Sequence, residues 1–387
     1  MRLSKMNKFV SYHPTKFHFG DGSLELLTDV IREHGTRVLL VRSPVIESLK
    51  PLYERVEKLI LASGAELFCF SDVEPNPTTN SIAKAGSQAY DAGVDVIVAL
   101  GGGSAIDTAK AAALEGVYGK SCWEFRFGSD TQPGPETLPV IAIPTTAGTG
   151  SEATPIAVVS NEDENYKSII WSDHIACKVA LIDPSLTHTM PAKLTAETGF
   201  DAFAHCFESY ISNTATPMAS IYALEGMRLV ANSLVKAVTN PGDKQARADM
   251  MMAATLGGMA ITESGVTLPH GMGMAIGGFS HSISHGASMA IVYPEIIARS
   301  VLEGSERYAT VAKLFKPELK DDAAHHLPEI ILNLLKQIDL TPKLSDYGLT
   351  SNMLKDIARA SYEQPGWQAH PKIHSEIDMY EILQECL

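Results

Sequence analysis

Cysteine is scarce in this chain and scattered. The five present (Cys69, Cys122, Cys177, Cys206 and Cys386) are odd in number, far apart and never in a CxxC pair. That excludes a disulfide framework and leads us to expect five free thiols, as in a reducing cytoplasm. Basic residues are also in deficit, with 31 Lys plus Arg against 45 Asp plus Glu and a formal charge of -14. Such a balance argues against nucleic acid or an anionic membrane as the main partner and in favour of small molecules. Long apolar runs are missing: none approaches the roughly 20 residues of a membrane span. The opening MRLSKMNKFVSYHP lacks the apolar core of a signal peptide, so a cytoplasmic location is expected. Internal repeats, low-complexity tracts and both standard nucleotide fingerprints, GxGxxG and GxxxxGK[ST], are absent as well.

What remains is an ordinary globular composition. With 387 residues and 45% hydrophobic content, the chain is long enough for two cores. In the first half, short β-branched runs (Arg37-Val41, Glu66-Phe70, Val94-Leu100, Pro139-Pro144, Lys178-Asp183) alternate with helical stretches (Pro44-Ser63, Asn80-Ala92), the pattern of a parallel sheet covered on both faces. From Leu194 onward helical periods dominate. We therefore expect an α/β domain over 1–184 and an all-helical domain over 185–387.

Two loops in the α/β half carry chemistry. The strand Val94-Leu100 runs straight into Gly101, Gly102, Gly103 and Ser104, with Asp107 three residues on, which reads as a capping box opening a helix. Free N–H groups at such a helix start make a seat for phosphate or pyrophosphate. The strand ending at Pro144 leads into Thr145, Thr146, Gly148, Thr149 and Gly150. Ligands of parallel sheets bind at the carboxyl ends of the strands, which puts both loops on one cofactor. The long irregular stretch Gly119-Thr137 reads as a lid.

A second constellation lies in the helical half. Asp201 and His205 stand four residues apart on a helix, so carboxylate and imidazole share one face. His270, His281 and His285 follow, the outer two in Gly-flanked apolar surroundings where a buried ring needs a partner. One carboxylate and up to three imidazoles suit Fe(II) or Zn(II) and leave a coordination position for a substrate oxygen.

Taken together, GGGSAIDTAK, PTTAGTGSEAT, KVALIDPSLTHTMPAKLTAETGFDAFAHCFESYIS and the later LPHGMG with SHGAS resemble the iron-containing (group III) alcohol dehydrogenase family of the dehydroquinate synthase-like superfold. The similarity runs in consistent order from about Phe9 to Ser288. It implies a dinucleotide-binding domain, a helical domain and a catalytic metal in the cleft between them. Asp201, His205 and His270 match three of the family's four ligands. The usual spacing puts the fourth on Ser284, and a one-residue insertion around Phe279-His281 moves it to His285, whose following Gly286 also matches; His281 is the less favoured choice.

Gly102, Gly103, Ser104 and Asp107 match the pyrophosphate loop, Thr145, Thr146 and Thr149 the second loop, and Lys167 a position near the nicotinamide ribose. Met274 stands where many relatives carry a histidine for proton transfer, which leaves His281 or water for that role. Ser43 stands where NAD-preferring relatives carry an aspartate, so NADP is expected to be accepted alongside NAD. The function implied is a metal-dependent NAD(P) alcohol dehydrogenase or aldehyde reductase, acting on a small alcohol or aldehyde and working as a homodimer. Cleft walls are expected from the Gly119-Thr137 stretch and from Phe203, Met274, Phe279 and Trp367. The alternative is a lyase or cyclase of the same superfold acting on a phosphorylated sugar acid. That chemistry needs clustered Lys and Arg, whereas from Lys193 to Val292 only Lys193, Arg228, Lys236, Lys244 and Arg247 are present, none close in sequence to the ligand candidates.

Overall fold

The computed structural model describes residues 8–164, 166–280, 282–302, 305–373 and 375–387. Its first half contains β1 (Lys16–Phe19), α1 (Leu27–His34), β2 (Arg37–Arg42), α2 (Lys50–Ala62), β3 (Glu66–Phe70), α3 (Thr79–Asp91), β4 (Val96–Gly101), α4 (Gly103–Tyr118) and β5 (Val140–Pro144). A hairpin, β6 (Ile156–Asn161) and β7 (Tyr166–Trp171), precedes β8 (Val179–Ile182). Six strands form one parallel sheet in the order β1-β8-β5-β4-β2-β3, and β6 pairs antiparallel with β7. The chain moves outward from β2 to β3, then returns to lay β4 on the other side of β2. That reversal is a topological switch point, where crevices form beyond the strand ends.

Alternation along the strands decides which side each residue faces. Val38 and Leu40 of β2, with Val96 and Val98 of β4, pack on one face against Leu27, Ile31, Val56 and Ile60 of α1 and α2. Leu39, Val41, Ile97 and Ala99 face the other way, onto Ala85 of α3 and Ala105 and Ala109 of α4. Both faces are covered, so the strands read as continuous apolar runs. Within α4 the fully buried Lys110 donates to the carbonyls of Ser151 (2.7 Å), Thr154 (2.8 Å) and Ile156 (2.7 Å). Three ammonium donors meet three carbonyls, which makes this charge tolerable in a core and ties α4 to the segment between β5 and β6.

The second half comprises α5 (Ala192–Ile211), α6 (Pro217–Thr239), α7 (Lys244–Ser264), α8 (Leu268–Phe279), α9 (His285–Ser300), α10 (Ser305–Phe315), α11 (Leu327–Gln337), α12 (Leu354–Glu363) and α13 (Glu376–Glu385). At the centre lies α5, buried almost all round, with Phe200, Phe203, Phe207 and Tyr293 of α9 packed ring on ring at 5.2–6.0 Å. No helix among the described residues is long and apolar enough to cross a membrane.

Six elements lie outside the runs read from the sequence: α1, α8, α13, β1, β6 and β7. The helix α8 carries four glycines in twelve residues, a composition of poor helix propensity, and forms because Pro269 starts it and its apolar face is buried. Of the others, β1 is four residues long and its register comes from β8. The five cysteines are all free thiols, as expected.

Candidate metal centre

Asp201 and His205 project from the same face of α5, His270 is the third residue of α8, and His285 is the first residue of α9. Three helices thus deliver four side chains to one point. Oδ1 of Asp201 lies 3.7 Å from Nε2 of His205, 3.6 Å from Nε2 of His270 and 3.7 Å from Nε2 of His285. One donor atom each from Asp201, His270 and His285 falls within 4.8 Å of the others. The His205 and His270 rings stack with centroids 4.7 Å apart, and His285 tilts against His270 at 5.2 Å. His285 reaches this place because α9 begins hard against the backbone of α5: a Cβ on Gly286 would collide with the Glu197 carbonyl, so only glycine allows the approach.

The electrostatics favour a cation. Asp201 Oδ1 and His270 Nε2 are buried and have no hydrogen-bond partner, a costly arrangement unless something positive sits between them. Burial alone would raise the Asp201 pKa, yet the imidazoles around it, His205 foremost, hold the carboxyl below the ordinary range. Burial keeps His205 neutral. Desolvation, with His270 and Lys167 adding, pushes His285 down, although its side chain is 33% exposed toward the cleft. Its position makes it the ligand candidate nearest to solvent. One carboxylate oxygen and three imidazole nitrogens, two of those four atoms orphaned, fit a borderline divalent metal.

A second layer orients His270. Its Nδ1 lies 2.5 Å from Oε1 of the fully buried Glu208, whose Oε2 accepts from the Thr267 backbone N–H at 2.7 Å. The Tyr293 hydroxyl donates to the same Glu208 Oε1 at 2.9 Å, and burial together with the Glu208 charge pushes its pKa well up, so it stays protonated. Burial would depress the His270 pKa, but Glu208 and Asp201 outweigh it and lift it to about 10. Carboxylates behind metal-bound imidazoles fix the ring and its tautomer. Sequence reasoning missed Glu208 and Tyr293. Glu208 was there to be found: it stands three residues after His205 and seven after Asp201, on the same helical face.

These four residues open onto a cleft of about 520 Å³, which Gly103, Ser104, Asp107, Thr149, Lys167 and Met274 also line. Gly102 and Gly103 lie against Thr146 and Thr149, so close that a Cβ on Gly103 would fall 2.7 Å from the Thr149 methyl. The two loops are therefore one surface. Thr145 donates its N–H to the Gly101 carbonyl at 3.0 Å. The capping box does not form: Gly102 is the N-cap of α4 without a side-chain bond. Asp107 instead accepts from Ser151 Oγ (2.6 Å) and the Val158 N–H (3.1 Å), since a carboxylate one turn into the helix faces the neighbouring loop. Burial raises the Asp107 pKa and lowers that of Lys167, whose Nζ donates to Asn76 at 2.9 Å. Ser43 Oγ bonds the Tyr53 hydroxyl at 3.0 Å, and the Arg42 guanidinium lies over the Tyr53 ring.

Other expectations fail. The 119–137 stretch is not a free lid, because Trp123 and Phe125 are buried in a core and the Phe127 N–H donates to the Ile169 carbonyl at 2.7 Å. Only Phe127 from it lines the cleft. Phe203 sits in the α5 core, and neither Phe279 nor Trp367, which stacks on Tyr362, is part of the cleft wall. His281 lies outside the described residues.

Comparison with known proteins matches residues 14–184 to the family model for iron-containing alcohol dehydrogenase and residues 195–387 to that for the C-terminal part of the Fe-containing alcohol dehydrogenase family. The chain is 32% identical over 359 residues to long-chain-alcohol dehydrogenase 1 of Geobacillus thermodenitrificans, covering 91% of this chain and 89% of that one. It is 32% identical over 355 residues to the sulfoacetaldehyde reductase of Bilophila wadsworthia, covering 88% and 89%. Among solved structures, an archaeal halo-thermophilic alcohol dehydrogenase from a Red Sea brine pool superposes with a TM-score of 0.94 at 30% identity, over 99% of this chain and all of that one.

Proposed function

We propose, from the premise that this chain belongs to the iron-containing alcohol dehydrogenase family, that Asp201, His205, His270 and His285 hold one divalent metal, Fe(II) in preference to Zn(II). The chain is an oxidoreductase of that family, interconverting an alcohol with its aldehyde or ketone. A metal held by these four residues would supply Lewis-acid polarisation of a substrate oxygen, and a nicotinamide dinucleotide in the cleft would supply the hydride chemistry. The observation that carries the reading is the convergence of three imidazoles on one orphaned carboxylate oxygen.

The chain's own residues do the rest. Gly102, Gly103, Ser104 and Asp107, with Thr145, Thr146 and Thr149, form the dinucleotide seat at the carboxyl ends of β4 and β5, where the first N–H groups of α4 favour a pyrophosphate. Lys167, fixed by Asn76 and within the field of Asp107 and Asp201, is the residue that would bind the ribose end of a dinucleotide in this cleft. Glu208 and Tyr293 keep the His270 ring aimed at Asp201. Met274, one turn beyond His270, carries no titratable proton, so His281 or water moves the substrate proton. Ser43 presents no carboxylate to a 2′-phosphate, and NADPH is accepted at least comparably to NADH. The halves 1–184 and 185–387 act as two domains with the cleft between them, and the enzyme works as a cytoplasmic homodimer.

A lyase acting on a phosphorylated sugar acid is disfavoured, because Lys167 is the sole Lys or Arg among the described residues of the cleft wall. Dihydronicotinamide absorbance, followed with a panel of aldehydes before and after dialysis against a strong chelator, tests the proposal. Full turnover by rigorously metal-free protein would refute the metal's role.

A further inference from the structure

We infer that the substrate is an uncharged alcohol or aldehyde with an apolar alkyl or aryl tail, an inference that rests on the oxidoreductase reading above. The helical half faces the metal residues with Ile261, Val266, Met274 and Pro365, and the opposite side of the cleft adds Trp171 and Phe127. The two aromatics are 41% and 61% exposed, so the cleft mouth is apolar as well as its interior. Met274 stands one turn after His270 on α8, which places this apolar wall beside the position a substrate oxygen would take.

The polar side chains of the same wall already have partners within the protein. Thr214 Oγ1 bonds Ser212 Oγ at 2.7 Å and the Ser264 carbonyl at 3.2 Å, and Ser264 Oγ accepts from the Thr216 N–H at 3.4 Å. The Glu263 carboxylate is 1% exposed and accepts from Ser11 Oγ, His13 Nε2 (3.1 Å) and Thr216 Oγ1 (3.5 Å). A hydroxylated tail would exchange its water hydrogen bonds for few on this wall. An anionic tail would find Lys167 as the one cation among the described residues of the cleft wall, already bonded to Asn76 and lying in the field of Asp107 and Asp201. A cationic tail would find the Glu263 charge covered. An apolar tail alone loses nothing on entry and buries its surface.

The test is kcat/KM for unbranched aldehydes from acetaldehyde to hexanal, with benzaldehyde, against succinic semialdehyde and sulfoacetaldehyde as anions and betaine aldehyde as a cation. The iron-loaded protein should gain roughly fourfold per added methylene, the equivalent of about 0.8 kcal/mol, and should use every charged aldehyde less well than butyraldehyde. In Val266→Ala the hexanal-to-acetaldehyde ratio should fall severalfold. A flat or declining series, or a charged aldehyde that matches butyraldehyde, overturns the inference and leaves the oxidoreductase reading intact. Should no aldehyde be reduced with either dinucleotide, that reading falls. Tryptophan fluorescence then still decides the cleft's preference: hexanamide binding more tightly than acetamide upholds it, and equal binding overturns it.

Discussion

Oε1 of Glu208 lies 2.5 Å from Nδ1 of His270, across 62 residues of sequence, in a core where Glu208 is wholly buried. The contact leaves Nε2 of that ring pointing at Asp201, and it makes Glu208 a positioning residue for the metal. Glu208→Gln keeps the shape but removes the charge. The expected result is a roughly 10- to 100-fold loss of metal affinity, read by competition with a chromogenic chelator. Tyr293→Phe removes one donor to the same oxygen and should cost less. Unchanged affinity in Glu208→Gln would show that the carboxylate serves packing alone.

His285 and His281 compete for the fourth ligand position. His285→Ala should empty the metal site to a far greater degree than His281→Ala, because the Nε2 of His285 stands 3.7 Å from Asp201 Oδ1 at the start of α9. Metal content per protein chain after anaerobic purification separates the two. A full site in His285→Ala with an empty one in His281→Ala would reverse the assignment. The pH–rate profile of His281→Gln then tells whether this ring or water carries the substrate proton.

Dinucleotide choice should respond to the end of β2. Ser43 is bonded to Tyr53, and Arg42 lies over the same ring with its guanidinium donating to the Ser43 carbonyl at 3.0 Å. Ser43→Asp puts a carboxylate where a 2′-phosphate would be repelled, and the ratio of kcat/KM should move toward NADH by roughly tenfold, about 1.4 kcal/mol. A wild-type enzyme already favouring NADH a hundredfold would mean that other contacts set the choice.

Glu152 offers a test of stability away from the reaction. It is buried beside Thr255, whose hydroxyl donates to Oε1 at 2.9 Å, and burial raises its pKa above the ordinary 4.5. A carboxyl raised in the folded state contributes fully below the unfolded pKa, and that contribution is lost as pH rises through the folded value. Glu152→Gln keeps an acceptor for Thr255 without the charge. Its Tm should equal that of the wild type near pH 4.5 and exceed it by a margin that widens toward neutrality, at roughly 1 °C per kcal/mol for a chain of this length. A constant difference across pH would refute this.

The sequence by itself determined the elements whose signal is local. Five β-branched runs ending in Gly, Pro or hydroxyl-rich turns became β2, β3, β4, β5 and β8, because a strand buried on both faces must be apolar throughout. The i,i+4 spacing put Asp201 and His205 on one helical face for the same kind of reason. Tertiary structure alone decided what depends on distant backbone. Four glycines hid α8, whose helix forms because its apolar face is buried, and with it the segment that brings His270 to α5. The register of β1 came from β8, and the place of His285 from a glycine at 286 that lets α9 touch the Glu197 carbonyl. Glu208 could be seen as a carboxylate on the right face, but its partnership with a ring 62 residues away appears only once two helices pack, since burial is what makes an unpaired charge intolerable and a paired one specific.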